Sequence, residues 1–225
     1  MPSRNSLKIY VEKGFYHIYN RGVEKRIIFE DSQDYKVFLR YIKEAFSPLE
    51  EQDLRTKYIM QGLSLQSIRR PVKSYFEKID LIAYCLMPNH FHLLIKQKDF
   101  DSIQGLMRSL MTRYSMYFNK KYDRVGSLFQ GRYKAVLVAS EEYLLHLSRY
   151  IHLNPREYTD DLLSAYSSYP EYLGKRQTPW IKPETVLSFF NNKVLPEFKK
   201  VNSYKSFVED YKKDSAIFLG DLILE

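Results

Sequence analysis

Two imidazoles separated by one apolar residue, His90-Phe91-His92, are the side chains of this sequence best placed to do chemistry. They follow Pro88-Asn89 and lead into the apolar run Leu93-Leu94-Ile95. In a strand, residues two apart share a face, so both rings project side by side, about 7 Å apart at the backbone from a rise of roughly 3.3 Å per residue. Imidazole is a frequent transition-metal ligand, and two on one strand make half a site. Taken alone, the spacing also describes an ordinary strand with two satisfied histidines. A second element downstream tips the balance toward a metal.

That element is the segment 141–154, EEYLLHLSRYIHLN, followed by Pro155. Leu144, Leu145, Leu147 and Ile151 recur at helical spacing. Ser140 suits the N-cap, and Glu141 and Glu142 sit where the helix dipole favours negative charge. Tyr150 and Asn154 are four residues apart and share a face, presenting a phenol and a carboxamide together: a nucleophile and a neutral oxygen ligand. Pro155 works against this geometry, because the residue before a proline tends to leave helical dihedrals.

Several motifs then occur in a fixed order. They are YHIYNRG (16–22), PNHFHLL (88–94), YFNKKY (117–122), LFQGRYKA (128–135), RYIHLNPRE (149–157) and SSYPEYLG (167–174). In this order they resemble the single-tyrosine HUH transposases, in the branch associated with repetitive extragenic palindromes, over about residues 10 to 175. The resemblance implies a ferredoxin-like or RRM-like antiparallel sheet and a divalent metal, Mg²⁺ or Mn²⁺, on His90 and His92. It also implies a nucleophile at Tyr150, a third polar ligand at Asn154, and a substrate of single-stranded DNA folded into palindromic hairpins. It leaves open monomer or homodimer. Ligand softness alone would rank Mn²⁺ or Zn²⁺ above Mg²⁺ for two neutral nitrogens and one neutral oxygen.

The chemistry explains the residue types. Cutting a phosphodiester without losing its bond energy requires a covalent intermediate. A phenolate gives a 5′-phosphotyrosine and a 3′-hydroxyl that can later reverse the step on another strand. A free tyrosine has a pKa of about 10, so a cation beside the phosphate is needed to offset charge in the transition state. A water-activating nuclease without a covalent intermediate, and a non-catalytic domesticated protein that grips palindromic DNA or RNA, are the competing classes.

The surrounding elements must position this set. A strand is expected at 14–20. The helix after it has Asp31 or Ser32 as cap and an apolar stripe at Tyr35, Phe38, Leu39, Ile42, Ala45 and Phe46. Residues 79–87 read as a strand buried on both faces, paired through Pro88-Asn89 with 90–96. A helix with the stripe Ile103, Leu106, Met107, Leu110, Met111 and Tyr114 follows, then a basic loop at 119–131 and a last strand at 133–138. Strand, helix, strand, strand, helix, strand, helix describes an α+β fold with an antiparallel sheet. Residues 1–175 make the expected catalytic domain, with 48–77 an insertion-like excursion, and 176–225 a C-terminal helical extension. Within that extension 175–183 reads as a linker, and the short amphipathic stretches 184–190 and 203–212 are expected to pack across the domain, with Lys199, Lys200 and Lys205 as a sharper DNA-contacting alternative.

Composition agrees without leading there. Thirty-five lysines and arginines against 27 acids give a net charge of +8, with a pI near 9.3, which suits a polyanionic partner. Candidate DNA contacts are Arg21, Arg108, Arg113, Gln130, Arg132 and Lys134, with Arg69, Arg70 and Lys73 in the excursion. The single cysteine, Cys85, excludes an internal disulfide and fits a reducing cytoplasm. No signal-peptide core is visible, and the longest apolar run, 81–87, is too short for a bilayer, so no membrane partner is expected. Among the remaining candidates Tyr143 is expected to pack, His146 to be solvated, and His152 and His17 to be structural.

Overall fold

The computed structural model describes residues 10–49, 73–192 and 203–210. Four strands, β1 (Phe15–Arg21), β2 (Ile79–Met87), β3 (His90–Gln97) and β4 (Lys134–Val138), form one antiparallel sheet in the order β2-β3-β1-β4. Three longer helices alternate with them: α1 (Ser32–Phe46), α2 (Ser102–Lys121) and α3 (Glu141–Leu153). The shorter α4 (Tyr169–Tyr172), α5 (Glu184–Asn192) and α6 (Tyr204–Glu209) follow. The architecture is α+β with the element order that the apolar periodicity predicts. Strand bounds differ from the sequence expectation by a residue. Most of 48–77, with Arg69 and Arg70, lies outside the described residues, as do Lys199 and Lys200.

The period-2 alternation of the strands sorts side chains into two layers. Tyr16, Ile18, Phe91, Leu93 and Ile95 face one way and bury against Phe38 and Ile42 of α1 and Leu106, Leu110 and Tyr114 of α2. Ala83, Cys85, Met87, Leu94 and Val138 face the other way, against Leu144, Leu145, Leu147 and Ile151 of α3. His17, Tyr19, Arg21, His90 and His92 alternate with the first set and therefore lie on the α3 side. The register aligns Cys85, His92, Tyr19 and Lys134 across all four strands, with His90 beside Arg21 in the next row.

The turn carrying the histidines is anchored from β1. Asn89 O accepts from Gly22 N at 2.8 Å, and Pro88 O accepts from Ile28 N at 2.8 Å. A Cβ on Gly22 would stand 2.2 Å from the Arg26 carbonyl oxygen, so the chain can pass here only as glycine.

Asp31 caps α1, accepting from Gln33 N and Asp34 N, and Asp34 closes a capping box. Asp34 also does more. Fully buried, it accepts from Lys121 Nζ (2.8 Å), Tyr117 Oη (2.8 Å), Tyr122 Oη (2.7 Å) and Glu30 N (2.8 Å). One carboxylate thus joins the start of α1 to the end of α2. Burial pushes its pKa up, but the Lys121, Tyr122 and Tyr117 bonds outweigh this and hold it below the usual carboxylate range.

The stretch 175–183 corrects a sequence expectation: it is fastened to the sheet and is not a free linker. Arg176 forks onto Glu171 at 2.6 and 2.8 Å and reaches Tyr84 Oη at 3.2 Å. Ile181 pairs beside Leu81, and Lys182 N donates to Leu81 O at 2.8 Å. Its proline and polar composition resembles a linker because the anchoring groups, one arginine and one isoleucine, are too sparse to make a periodic signal.

Candidate active site

His90 and His92 stand on β3 with ring centroids 4.9 Å apart. Tyr150, on α3, places its ring edge-on to His92 at 5.4 Å and to His17 at 6.3 Å. Asn154 lies within hydrogen-bonding reach of His90. The four residues singled out in the sequence are therefore brought together in one chain, on the sheet face covered by α3.

The expectation about Pro155 is overturned. Asn154 keeps helical dihedrals (φ −45°, ψ −43°), and Pro155 opens a 3-10 turn over Asn154–Glu157. Two donors hold it there. The Asn154 backbone N–H and its side-chain Nδ2 both bond Tyr150 O, the latter at 2.9 Å. With the amide nitrogen so fixed, the carboxamide oxygen is the group left to face His90. Proline meanwhile is well tolerated in the first turn of a helical segment, where its missing N–H costs nothing.

The imidazoles are held neutral. Burial pushes the pKa of His90 down to about 4, partly countered by its bond to Asn154 and helped by the nearby Arg21 charge. His92, fully buried, is shifted well below the ordinary value by burial and then by His90 and His17. The protonation of His90 is fixed by its neighbour. Asn89 Nδ2 donates to Lys25 O at 3.3 Å, so Asn89 Oδ1 is the atom 2.5 Å from His90 Nδ1, and it can only accept. In the neutral ring Nδ1 therefore carries the proton and Nε2 a lone pair, and the Asn154 contact favours the charged ring. His92 Nε2 is buried with no hydrogen-bond partner among the described residues. Two imidazoles and a carboxamide lie side by side, and this set of donor types suits a divalent cation. Among the described residues no three His, Cys, Asp or Glu side chains form a metal-holding group, so the carboxamide is needed as the third donor.

Cationic and amide groups rim the site. Arg21 Nε donates to Gln130 Oε1 at 2.5 Å beside His90, and Lys134 lies in the His92–Tyr19 row of the sheet. Burial lowers the pKa of Lys134. Arg132 is exposed next to them. The other two arginines stand across the sheet on α2. Arg108 is exposed, and Arg113 pairs with Glu44 and lies 4.0 Å over the Tyr41 ring, bracing α2 against α1.

Three lesser residues were misjudged or missed. Tyr143 is 42% exposed instead of packed. His146 is buried instead of solvated, bonded by Arg149 and 3.9 Å from Glu142. His17, expected to be a plain sheet residue, touches both His92 and Tyr150, which depends on a strand register that its own sequence does not reveal.

His152 is structural, as expected, and its role is specific. Tyr84 N donates to Ser168 Oγ at 2.9 Å, Ser168 Oγ lies 2.8 Å from His152 Nε2, and His152 Nδ1 lies 2.8 Å from Tyr204 Oη. Tyr204 Oη donates onward to Ser148 Oγ at 3.1 Å. This network ties α3 to β2, α4 and α6. Burial drives the pKa of His152 down to about 3. The folded state thus refuses a proton that the unfolded chain accepts below about 6.5. Stability is accordingly expected to be full above that pH and to fall by up to about 1.4 kcal/mol per unit as the pH drops from about 6.5. Urea melts from pH 7.5 to 4.5 would show it, with a shallower slope in His152→Leu. Equal slopes in both proteins would contradict it.

Paired histidines on a central strand thus face a helical tyrosine and a carboxamide on a four-stranded α+β scaffold. Residues 53–154 match the family described as "Transposase IS200 like", a stretch that holds both histidines, Tyr150 and Asn154. Over that stretch the chain is similar to the IS200-like transposases. Among solved structures, one described as a REP-associated tyrosine transposase bound to a REP hairpin is similar at 12% identity and a TM-score of 0.46, covering 78% of this chain and 95% of that one. A putative transposase from Deinococcus radiodurans R1 is similar at 18% identity and a TM-score of 0.34, covering 65% and 94%. No curated protein matches the chain. Among the described residues no helix is long and apolar enough to cross a membrane.

Proposed function

We propose that the protein is a metal-dependent single-strand DNA nickase and strand transferase that uses Tyr150 as nucleophile on palindromic hairpins. The observation that carries this is the convergence of Tyr150 with His90, His92 and Asn154, including a buried His92 Nε2 without a hydrogen-bond partner among the described residues. His90 Nε2, His92 Nε2 and the Asn154 carboxamide oxygen would hold Mg²⁺ or Mn²⁺. When bound, such a cation supplies positive charge to the non-bridging phosphate oxygens.

The chain's own residues supply the remainder. The Tyr150 phenol oxygen attacks phosphorus, the bond to O3′ breaks, and a 5′-phosphotyrosine forms. The proton lost by the phenol is balanced by the one gained at the departing 3′-hydroxyl. Edge-on contact with His92 and His17 holds the ring against the sheet, so the nucleophile is presented without a search over rotamers. Arg21, Gln130, Arg132 and Lys134 line the approach and suit backbone phosphates. Arg108, on the opposite layer, suits a more distant part of a bound strand.

The test is incubation of the full chain with end-labelled hairpins from palindromes adjoining its gene, with Mn²⁺ or Mg²⁺, read on a denaturing gel. A metal-dependent protein–DNA adduct that survives denaturation is expected. Tight hairpin binding without cleavage in either metal would overturn the reading in favour of a binding protein.

A further inference from the structure

We infer that His17 is a positioning residue that sets which nitrogen of His92 faces the metal space. The inference rests on the metal-site reading above. Each candidate ligand ring has a partner on its far nitrogen: Asn89 Oδ1 on His90 Nδ1, and His17 Nε2, 2.8 Å away, on His92 Nδ1. A metal-binding histidine is ordinarily oriented through a bond from its other ring nitrogen. For His90 the partner is an oxygen and the outcome is fixed. For His92 the partner is another imidazole, which can donate or accept.

The two arrangements differ in consequence. If His17 Nε2 carries the proton, it donates to His92 Nδ1, and the His92 proton must sit on Nε2. That atom would then carry a proton and be useless as a ligand; burial does not separate the two arrangements, because the second places its own proton on His17 Nδ1, a nitrogen as buried as His92 Nε2. If His92 Nδ1 carries the proton, it donates to His17 Nε2, and His92 Nε2 presents a lone pair beside that of His90. Only the second arrangement completes the donor set, and it requires His17 to hold its own proton on Nδ1. The near-parallel stacking of the rings, 20° between planes at 5.1 Å, keeps the two nitrogens aligned. Because His17 also meets Tyr150 edge-on at 6.3 Å, the same ring supports ligand and nucleophile.

Nitrogen-15 spectra of the histidine rings in the metal-free full chain, followed by Zn²⁺ and Mn²⁺ titrations, test this. The wild type is expected to show His92 protonated at Nδ1 and to keep that proton when Zn²⁺ binds. His17→Phe is expected to lower Mn²⁺ affinity by about 10- to 100-fold, and His17→Gln, whose side-chain oxygen can accept, to recover most of it. A merely structural bridge would give Phe and Gln variants of equal affinity. A wild-type His92 protonated at Nε2 would overturn the inference even if no variant folds. So would a folded His17→Phe protein that binds Mn²⁺ as the wild type does. If Zn²⁺ leaves the His90 and His92 signals of the wild type unmoved, the metal-site reading itself fails and takes this inference with it.

Discussion

Tyr150→Phe is expected to abolish the covalent protein–DNA adduct and to lower metal-dependent nicking by at least on the order of 10³-fold, with the fold and hairpin binding intact. The substitution removes one oxygen. The aromatic contacts that seat the ring, with His92 at 5.4 Å and His17 at 6.3 Å, are made equally well by phenylalanine. Leu144, Leu145, Leu147 and Ile151, which bury α3 against the sheet, are untouched. Removal of a nucleophile has no partial remedy, because no intermediate can then form. Tyr143→Phe is the matched control: its ring is 42% exposed, one heptad before Tyr150, and activity should be unchanged. Denaturing gels of hairpin cleavage with Mn²⁺ decide the matter. Nicking by Tyr150→Phe at near wild-type rate, without an adduct, would identify water as the nucleophile.

The largest expected loss of stability is at Asp34. Its carboxylate is fully buried and takes five hydrogen bonds, from Lys121, Tyr117, Tyr122, Glu30 N and Asp31 N. Removing one partner of a buried ion pair costs about 3–5 kcal/mol, chiefly because the other groups stay behind unsatisfied. Lys121 is 21% exposed and keeps a second contact, Asp31 at 2.7 Å, so the lower end, about 3 kcal/mol, is expected for Asp34→Ala. The pH dependence has a definite sign. The folded pKa is depressed, so this stabilisation is complete above the unfolded value near 4 and disappears as pH falls through the folded one. Urea unfolding at pH 7 measures the loss. A change under about 1 kcal/mol would mean that water replaces the carboxylate.

Much of this was legible before any coordinates. The strands at 79–87 and 90–96 announce themselves because both carry apolar runs, joined by a Pro-Asn turn, and both are buried almost throughout. The stripe from Ile103 to Tyr114 is buried as its spacing requires. His90 and His92 stand out by type and spacing, whereas Tyr150, one of 20 tyrosines, and Asn154 are singled out by the resemblance to the HUH transposases; the structure brings the four side chains together. What stayed hidden depends on register or on single anchors. His17 becomes a neighbour of His92 only once β1 pairs with β3, and Asn89 acquires meaning only once Lys25 claims its amide. Asn154 defied the pre-proline tendency because two bonds to one carbonyl outweigh a local preference. Tyr143 misled because helical phase tells which way a side chain points but not where the sheet beneath it ends.

The His152 network has a consequence in time. Its partners His152 and Tyr204 are 52 residues apart, and Phe207 and Val208 cover the same apolar surface of α3. A ribosome adding roughly 5–20 residues per second therefore releases the tyrosine helix some seconds before its clamp exists. During that interval His152 Nδ1 lacks its Tyr204 partner, and the α3 surface lacks the cover of Phe207 and Val208. The packing around α3 is thus completed late in synthesis, after the segment that bears Tyr150 has already emerged.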